Sequence, residues 1–176
     1  LTYRQPPHNY EAEQALLGAI LVNNQVFDRV NEFLRAEHFF DPVHGRIYAA
    51  IAGLIERGQV ANPLTLKGQF DQDPPLAEVG GAQYLIRLAA AVVSIINAAD
   101  YGQTIYDLAI RRALIQIGEE VVATAYDSEV EQTAGRQIEE AQKQLFDLAE
   151  KGRYDGGFMA FNEALRDAIA MASEAS

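Results

Sequence analysis

The chain has 176 residues, a length typical of one domain or of one domain with an extension, and 49% of its residues are hydrophobic, enough for a core. It contains no cysteine, which excludes a disulfide framework, a thiol nucleophile and a thiolate metal site. Its net charge is −11, and the sequence contains no stripe of basic residues of the kind that binds nucleic acid. We therefore expect no strong nucleic-acid binding and favour a protein partner.

Helical periodicity predicts a globular bundle of five short helices over residues 1–97. Asn9 is a candidate N-cap for the first helix, which Asn23-Asn24 ends. Asp41-Pro42 begins the third helix, because an N-cap residue followed by proline favours a helix start, and Gly58 ends it. The second helix is predicted from the apolar residues Val26, Phe27, Val30, Phe33 and Leu34.

Turn residues divide the rest of this bundle. Asn62-Pro63 begins a fourth helix, residues 71–75 are predicted as a loop, and Gly80-Gly81 precedes a fifth helix that runs through Leu88. The longest apolar run, 88–96, is too short for a membrane span of about 20 residues, so we expect no membrane association. The predicted core residues are Leu16, Ile20, Phe27, Phe33, Ile47, Ile51, Leu54 and Leu85.

Residues 98–151 are predicted to form a long antiparallel helical hairpin. Each helix carries one narrow apolar stripe, and the two stripes either face each other or join two copies of the chain. The candidates for such an oligomer interface are Ile138, Leu145 and Leu148. Gly118 lies inside the first hairpin helix at a cost of about 1 kcal/mol relative to alanine. It predicts either an interruption or a close approach of another helix.

A flexible linker is predicted over 152–159, followed by a separate linker helix over 160–176. The apolar face of that helix contains Phe161, Leu165 and Ile169. Because an isolated helix of about a dozen residues is marginally stable in water, it must dock on its own domain or on another domain or subunit. The predicted fold class is therefore all-α, with a small globular bundle, a hairpin and a linker helix.

No catalytic, cofactor-binding or metal site is predicted in this chain. His8, His38 and His44 lie far apart or at a spacing that does not place them on one helix face, so we assign them structural roles. Glu11 and Glu13 are two residues apart in a helix and point in different directions. The chain contains neither a phosphate-binding glycine loop nor a nucleophile elbow.

The run from Pro6 to Gly18, PPHNYEAEQALLG, resembles the opening of the N-terminal domain of bacterial replicative DNA helicases of the DnaB family. Three further stretches are similar to that family in the same order. They are FFDPVHGRIY at 39–48, VGG at 79–81 with Tyr84, Leu85 and Leu88, and a pattern formed by Asn97, Tyr101, Ile105 and Arg112.

The resemblance implies a globule and a hairpin that form dimers, which assemble into a three-fold collar on a homohexameric ring. It implies that the linker helix, through Phe161, Leu165 and Ile169, docks on the RecA-like ATPase domain of a neighbouring subunit. The partners implied are the chain itself, the C-terminal helicase-binding domain of primase and a helicase loader.

By the same resemblance, the parent protein is an ATP-dependent DNA helicase that unwinds duplex DNA 5′ to 3′ at the replication fork, in the cytoplasm at the nucleoid. ATP and magnesium would be held by the ATPase domain, which is absent from this sequence, so we expect this fragment to be a non-catalytic interaction domain. The alternative is a free-standing acidic all-helical adaptor that dimerises and tethers partners unrelated to replication.

Overall fold

The structure is a computed structural model that describes residues 4–71, 73–127, 129, 131–152 and 158–175, with the backbone alone at 152 and 158–165. The regular secondary structure in these residues is helical and includes no strand, which confirms the predicted all-α class. The α-helices are α1 Tyr10–Val22, α2 Gln25–Asp28, α3 Pro42–Glu56, α4 Pro63–Phe70, α5 Pro74–Glu78, α6 Ala82–Ala90, α7 Ala98–Tyr126, α8 Ala134–Gly152 and α9 Phe158–Glu174, with a 3-10 turn at Ala36–His38.

The helix boundaries follow local capping signals. The Asn9 side chain accepts a hydrogen bond from the Ala12 N–H at 3.0 Å at the start of α1, and Asp41 caps α3 in the same way. Gly58 has a φ of +73°, which glycine adopts without strain, and its N–H donates to Ile55. These contacts confirm the predicted start of α1 and both predicted ends of α3.

The predicted second helix is wrong beyond its first turn. The helix α2 ends at Asp28, and residues 29–33 continue as turns. The Arg35 guanidinium donates to the backbone oxygens of Asn31, Glu32 and Leu34, which satisfies carbonyl groups that a longer helix would pair with its own N–H groups. The apolar residues nevertheless lie in the core, because turns and helices can bury the same side chains.

The predicted loop at 71–75 is also partly helical, since α5 begins at Pro74. Asp73 accepts a hydrogen bond from the Leu76 N–H at 3.4 Å, and Pro74 occupies the first helical position. This is the same N-cap and proline signature as Asp41-Pro42. The helix it begins has five residues, and its Leu76 is fully buried.

One hydrophobic core fills the first compact unit, Leu1–Ala109. All eight residues predicted for the core are buried, which confirms that prediction. Asn24 connects the end of α1 to the segment just before α4 through three hydrogen bonds. Its side chain donates to the backbone oxygens of Ile20 and Ala61 and accepts from the Ala61 N–H. The first part of α7 belongs to this unit, where Gly102 packs against Val30 and Phe33.

The second compact unit, Ile110–Ser176, contains the rest of α7 together with α8 and α9. The helix α7 continues without interruption through Gly118, and no described atom beyond the adjoining backbone of the same helix lies within 4 Å of the Cβ that an alanine would add there. None of the side chains that the structure describes in this unit is fully buried. The unit therefore has no hydrophobic core of its own among those residues.

The predicted linker at 152–159 falls mainly on residues 153–157, which lie outside the described residues. The division of the chain into four segments at 97, 151 and 159 stays a prediction. Among the helices that the structure describes, none combines the length and the hydropathy that a membrane span requires.

Candidate functional site

Three helices of the first unit contribute to a buried chain of hydrogen bonds. Glu13 lies on α1, His44 on α3 and Tyr84 on α6. Glu13 and His44 are only 2% and 1% exposed. The Nδ1 atom of His44 is 2.8 Å from Glu13 Oε1, and its Nε2 atom makes a short hydrogen bond with the Tyr84 hydroxyl. His44 therefore connects a buried carboxylate to a side chain nearer the surface.

Glu13 also fixes the loop that precedes α3. Its Oε2 accepts the Phe40 N–H at 2.9 Å, and its Oε1 accepts the Asp41 N–H at 3.3 Å. Three donors thus converge on one carboxylate, which offsets the cost of removing its charge from water. This role of Glu13 was not predicted from the sequence. The available signal was a charged residue three, four and seven positions before Leu16, Leu17 and Ile20, on the apolar face of α1.

Tyr84 remains protonated in this setting. Burial raises the pKa of its hydroxyl above the ordinary value. The hydrogen bond from Gln14 and the charge of Arg87 lower the pKa, and the negative charges of Asp41 and Glu13 raise it, so that the net change is upward. The hydroxyl also accepts a hydrogen bond from Gln14 Nε2 at 3.3 Å. Tyr84 consequently acts as a hydrogen-bonding hydroxyl rather than as a phenolate.

Tyr84 and Gln14 lie on the wall of a groove of about 480 Å³, which we call the α1–α6 groove. Charged residues, Glu11 and Arg87, also line it, and Val93 on its lining is 99% exposed. The remaining lining residues are mainly apolar or amide-bearing: Ala15, Leu88, Ala91, Val92, Ser94, Asn97 and Tyr101. An apolar floor with a few polar groups is typical of a recognition site.

A close approach of two helices shapes this groove. A Cβ atom added at Gly18 of α1 would lie 2.2 Å from the Leu88 backbone oxygen of α6 and 2.8 Å from the Val92 side chain. Only glycine permits this spacing, so α1 and α6 pack backbone to backbone beside the groove.

The hairpin residues predicted as an oligomer interface differ in exposure. Ile138 is 60% exposed and Leu145 is 44% exposed, whereas Leu148 is half-buried. The groove between α7 and α8, about 230 Å³, is lined mainly by glutamate and glutamine side chains. Further exposed apolar residues, which the prediction did not include in the interface, are Leu114, Ile115, Val121, Val122, Tyr126 and Phe146.

Of the residues predicted to anchor the linker helix, the structure describes the side chain of Ile169 alone, and it is 61% exposed. The side chains of Phe161 and Leu165 lie outside the described residues. The assignment of these three residues to docking stays a prediction.

Within the described ranges, no three His, Asp or Glu side chains are grouped as metal ligands. His44 is part of the buried network, while His8 stacks on Phe40 with ring centroids 4.1 Å apart. His38 Nδ1 accepts the Arg35 N–H at 2.8 Å. Each histidine thus has a structural contact.

The comparisons with known proteins agree on one family. Residues 5–107 match the family described as the DnaB-like helicase N-terminal domain. The chain is 47% identical over 169 residues to the replicative DNA helicase DnaB of Rickettsia conorii, covering 96% of this chain and 34% of that protein. It is 33% identical over 147 residues to the DnaB of Mycobacterium leprae, covering 84% of this chain and 24% of that protein.

Two solved structures are similar in fold. The crystal structure of the N-terminal domain of DnaB helicase from Mycobacterium tuberculosis superposes with a TM-score of 0.73 at 32% identity, covering 81% of this chain and 99% of that one. A DnaB-like replicative helicase, studied together with its interactions with primase, superposes with a TM-score of 0.64 at 25% identity, covering 90% of this chain and 35% of that one. The chain thus spans about a third of the length of the Rickettsia relative and about a quarter of the length of the Mycobacterium leprae relative.

Proposed function

Because the chain belongs to the family of DnaB-like helicase N-terminal domains, we propose that it is the collar domain of a hexameric replicative DNA helicase. In this proposal it joins subunits to one another and recruits primase. The observation that carries the proposal furthest is a second unit with exposed apolar residues on both hairpin helices and no core among its described side chains. Such a unit gains stability by burying those residues against another chain.

We propose that catalysis belongs to a part of the protein outside this sequence. The parent would unwind DNA 5′ to 3′ at the replication fork, in the cytoplasm at the nucleoid, with ATP and magnesium in a RecA-like domain. The fragment itself would hydrolyse no ATP, since its sequence has no phosphate-binding glycine loop. Family membership argues against the alternative of an adaptor unrelated to replication.

We propose that two copies of the chain associate through the hairpin, with Ile138, Leu145 and Leu148 at the contact. Leu145 lies seven residues after Ile138, so both side chains are on one face of α8. Because the groove between α7 and α8 is lined mainly by polar side chains, these apolar residues are available to another copy. Burial of apolar area would then drive association.

Replacing Leu145 by aspartate should weaken self-association by about 2 kcal/mol or more, or roughly thirtyfold, because an unpaired carboxylate would be buried at the contact. Light scattering on a sizing column at micromolar concentration measures the mass. Val60→Asp is the matched control, since Val60 is a 62% exposed apolar residue of the globule. An unchanged oligomer mass for Leu145→Asp would remove this residue from the interface.

We further propose that the α1–α6 groove binds the C-terminal helicase-binding domain of primase. Its apolar floor offers buried area, while Glu11 and Gln14 on one wall and Arg87 on the other offer polar contacts. The exposed Val93 on its lining, at 99%, is the type of side chain that a partner would cover. The wider acidic charge of the chain favours a partner surface with basic residues.

Val93→Arg should abolish the mass shift that the primase domain causes on the sizing column, because a long charged side chain would obstruct the groove. We expect a loss of at least about tenfold in affinity, the effect of about 1.4 kcal/mol. Val60→Arg, at an exposed valine away from the groove, should bind primase normally. Equal binding by both variants would show that primase contacts a different surface.

We propose that the linker helix docks on a neighbouring ATPase domain through Phe161, Leu165 and Ile169, and that a helicase loader acts on the assembled ring. The exposure of Ile169, at 61%, is consistent with a side chain whose partner is another domain. The helix α9 has 17 residues, and packing of its apolar face on a partner would add stability, because most of the stability of a helix in a protein comes from such packing.

A further inference from the structure

Tyr84 lies between the buried network and the α1–α6 groove, and its hydroxyl has three hydrogen-bonding positions. One is the donor hydrogen and two are lone pairs. Gln14 Nε2 donates to the oxygen at 3.3 Å and occupies one lone pair. His44 Nε2 contacts the same hydroxyl from the interior. The protonation of Nε2 therefore decides whether the third position of Tyr84 is a lone pair or a hydrogen.

Glu13 determines the tautomer of His44. Its carboxylate already accepts the Phe40 and Asp41 N–H groups and has no hydrogen to donate. The contact of 2.8 Å with His44 therefore requires a hydrogen on Nδ1. In the neutral imidazole Nε2 is then a bare acceptor, and the Tyr84 hydroxyl donates to it. The remaining position of Tyr84 is a lone pair.

We propose that the Glu13–His44 pair determines whether the Tyr84 hydroxyl presents a hydrogen-bond acceptor or a donor to the α1–α6 groove. With neutral His44, Tyr84 offers only an acceptor, so the partner group that meets it is an N–H or O–H donor, such as a lysine, an arginine or an amide. The opposite tautomer, with its hydrogen on Nε2, would donate to Tyr84. Both lone pairs would then be occupied, and the hydroxyl hydrogen would point towards the groove and require an acceptor. This inference rests on the proposed function, because it concerns the partner in that groove.

Charged and titratable groups face His44 from each element around it. Glu13 and the Tyr10 ring, 6.2 Å from the imidazole, come from α1, and Asp41 comes from the cap of α3. From α6 come Tyr84, whose ring stacks on the imidazole, and Arg87, whose guanidinium lies 5.6 Å from the Tyr84 ring centroid. A donor on the partner also suits Glu11 on the groove lining and the net charge of −11.

The first test uses the unmodified chain without a partner. We expect nitrogen NMR of the His44 ring at about pH 8 to give a hydrogen on Nδ1 and a bare Nε2. Tyr84→Phe should shift the Nε2 resonance, because its hydrogen-bond donor is lost. A hydrogen on Nε2 together with a bare Nδ1 would overturn the inference.

The second test measures binding of the primase helicase-binding domain by calorimetry at about pH 8, with the wild type and Tyr84→Phe. Tyr84→Phe should weaken binding by about five- to tenfold, the effect of one lost hydrogen bond.

Equal affinities of the two proteins would overturn the inference. Both proteins meet the same partner, so the comparison removes any effect that arises from the primase domain itself. If neither protein bound the domain, the proposed function would fail. The ring spectra of His44 would still decide the polarity of the Tyr84 hydroxyl, because they need no partner.

Discussion

Replacing Glu13 by alanine should lower the free energy of unfolding by about 3–5 kcal/mol, the typical cost of removing one member of a buried charged network. Three donors would lose their acceptor at once: the Nδ1–H group of His44 and the N–H groups of Phe40 and Asp41. Each donor left unpaired in the interior costs about 1–3 kcal/mol. Urea unfolding followed by circular dichroism measures the change.

Two further variants test the physical reason. Glu13→Gln keeps the shape and one acceptor oxygen, so it should cost less than alanine. Glu11→Ala is the matched control in the same helix turn, because Glu11 is exposed and makes only the favourable interaction with the helix dipole, at about 0.3–1 kcal/mol. If Glu13→Ala were no more destabilising than Glu11→Ala, the buried network would contribute nothing to stability.

Gly18→Ala should also destabilise the globule, by about 1–3 kcal/mol, because the new Cβ would overlap the Leu88 backbone oxygen and force α1 away from α6. The oxygen belongs to the backbone of a packed helix, so no side-chain rotation relieves the overlap. The same displacement would change the α1–α6 groove, so primase binding should weaken together with stability.

Gly53→Ala provides the opposite expectation in the same unit. Gly53 lies inside α3, and its nearest neighbour, the end of the Arg57 side chain, would be 3.6 Å from an added Cβ. With no clash, alanine should stabilise the helix by about 0.5–1 kcal/mol. Thermal unfolding of both variants gives the signs. A stabilised Gly18→Ala would contradict the close backbone packing of α1 and α6.

Features that depend on a few neighbouring residues were predictable from the sequence. Asn9 and Asp41 were correct as caps because a cap is a contact within three residues. The core residues were correct because helical spacing alone places them on one face. The prediction of a long second helix was wrong because the same apolar spacing also fits a series of turns. The hydrogen bonds from the Arg35 side chain to backbone oxygens, which accompany those turns, do not follow from that spacing.

The buried network and the groove could not be predicted from patterns of neighbouring residues. Glu13 and His44 are separated by 31 residues, and Tyr84 follows 40 residues later, so only the packing of three helices brings them together. The sequence placed Glu13 at a favourable helix end, but its burial depends on the helices that cover it. Likewise, the apolar stripe of α8 follows from local spacing, whereas the proposed contact with another copy depends on a second surface.

The absence of a core among the described side chains of the second unit has a consequence for how the protein folds. The buried apolar residues of the globule pack against one another within Leu1–Ala109, which favours its folding without the hairpin. In the proposed collar, the hairpin completes its burial only when another copy arrives, so folding of the hairpin and assembly of the ring form one linked equilibrium. Order in the hairpin would then rise with protein concentration, and dilution would melt this segment before it affects the globule.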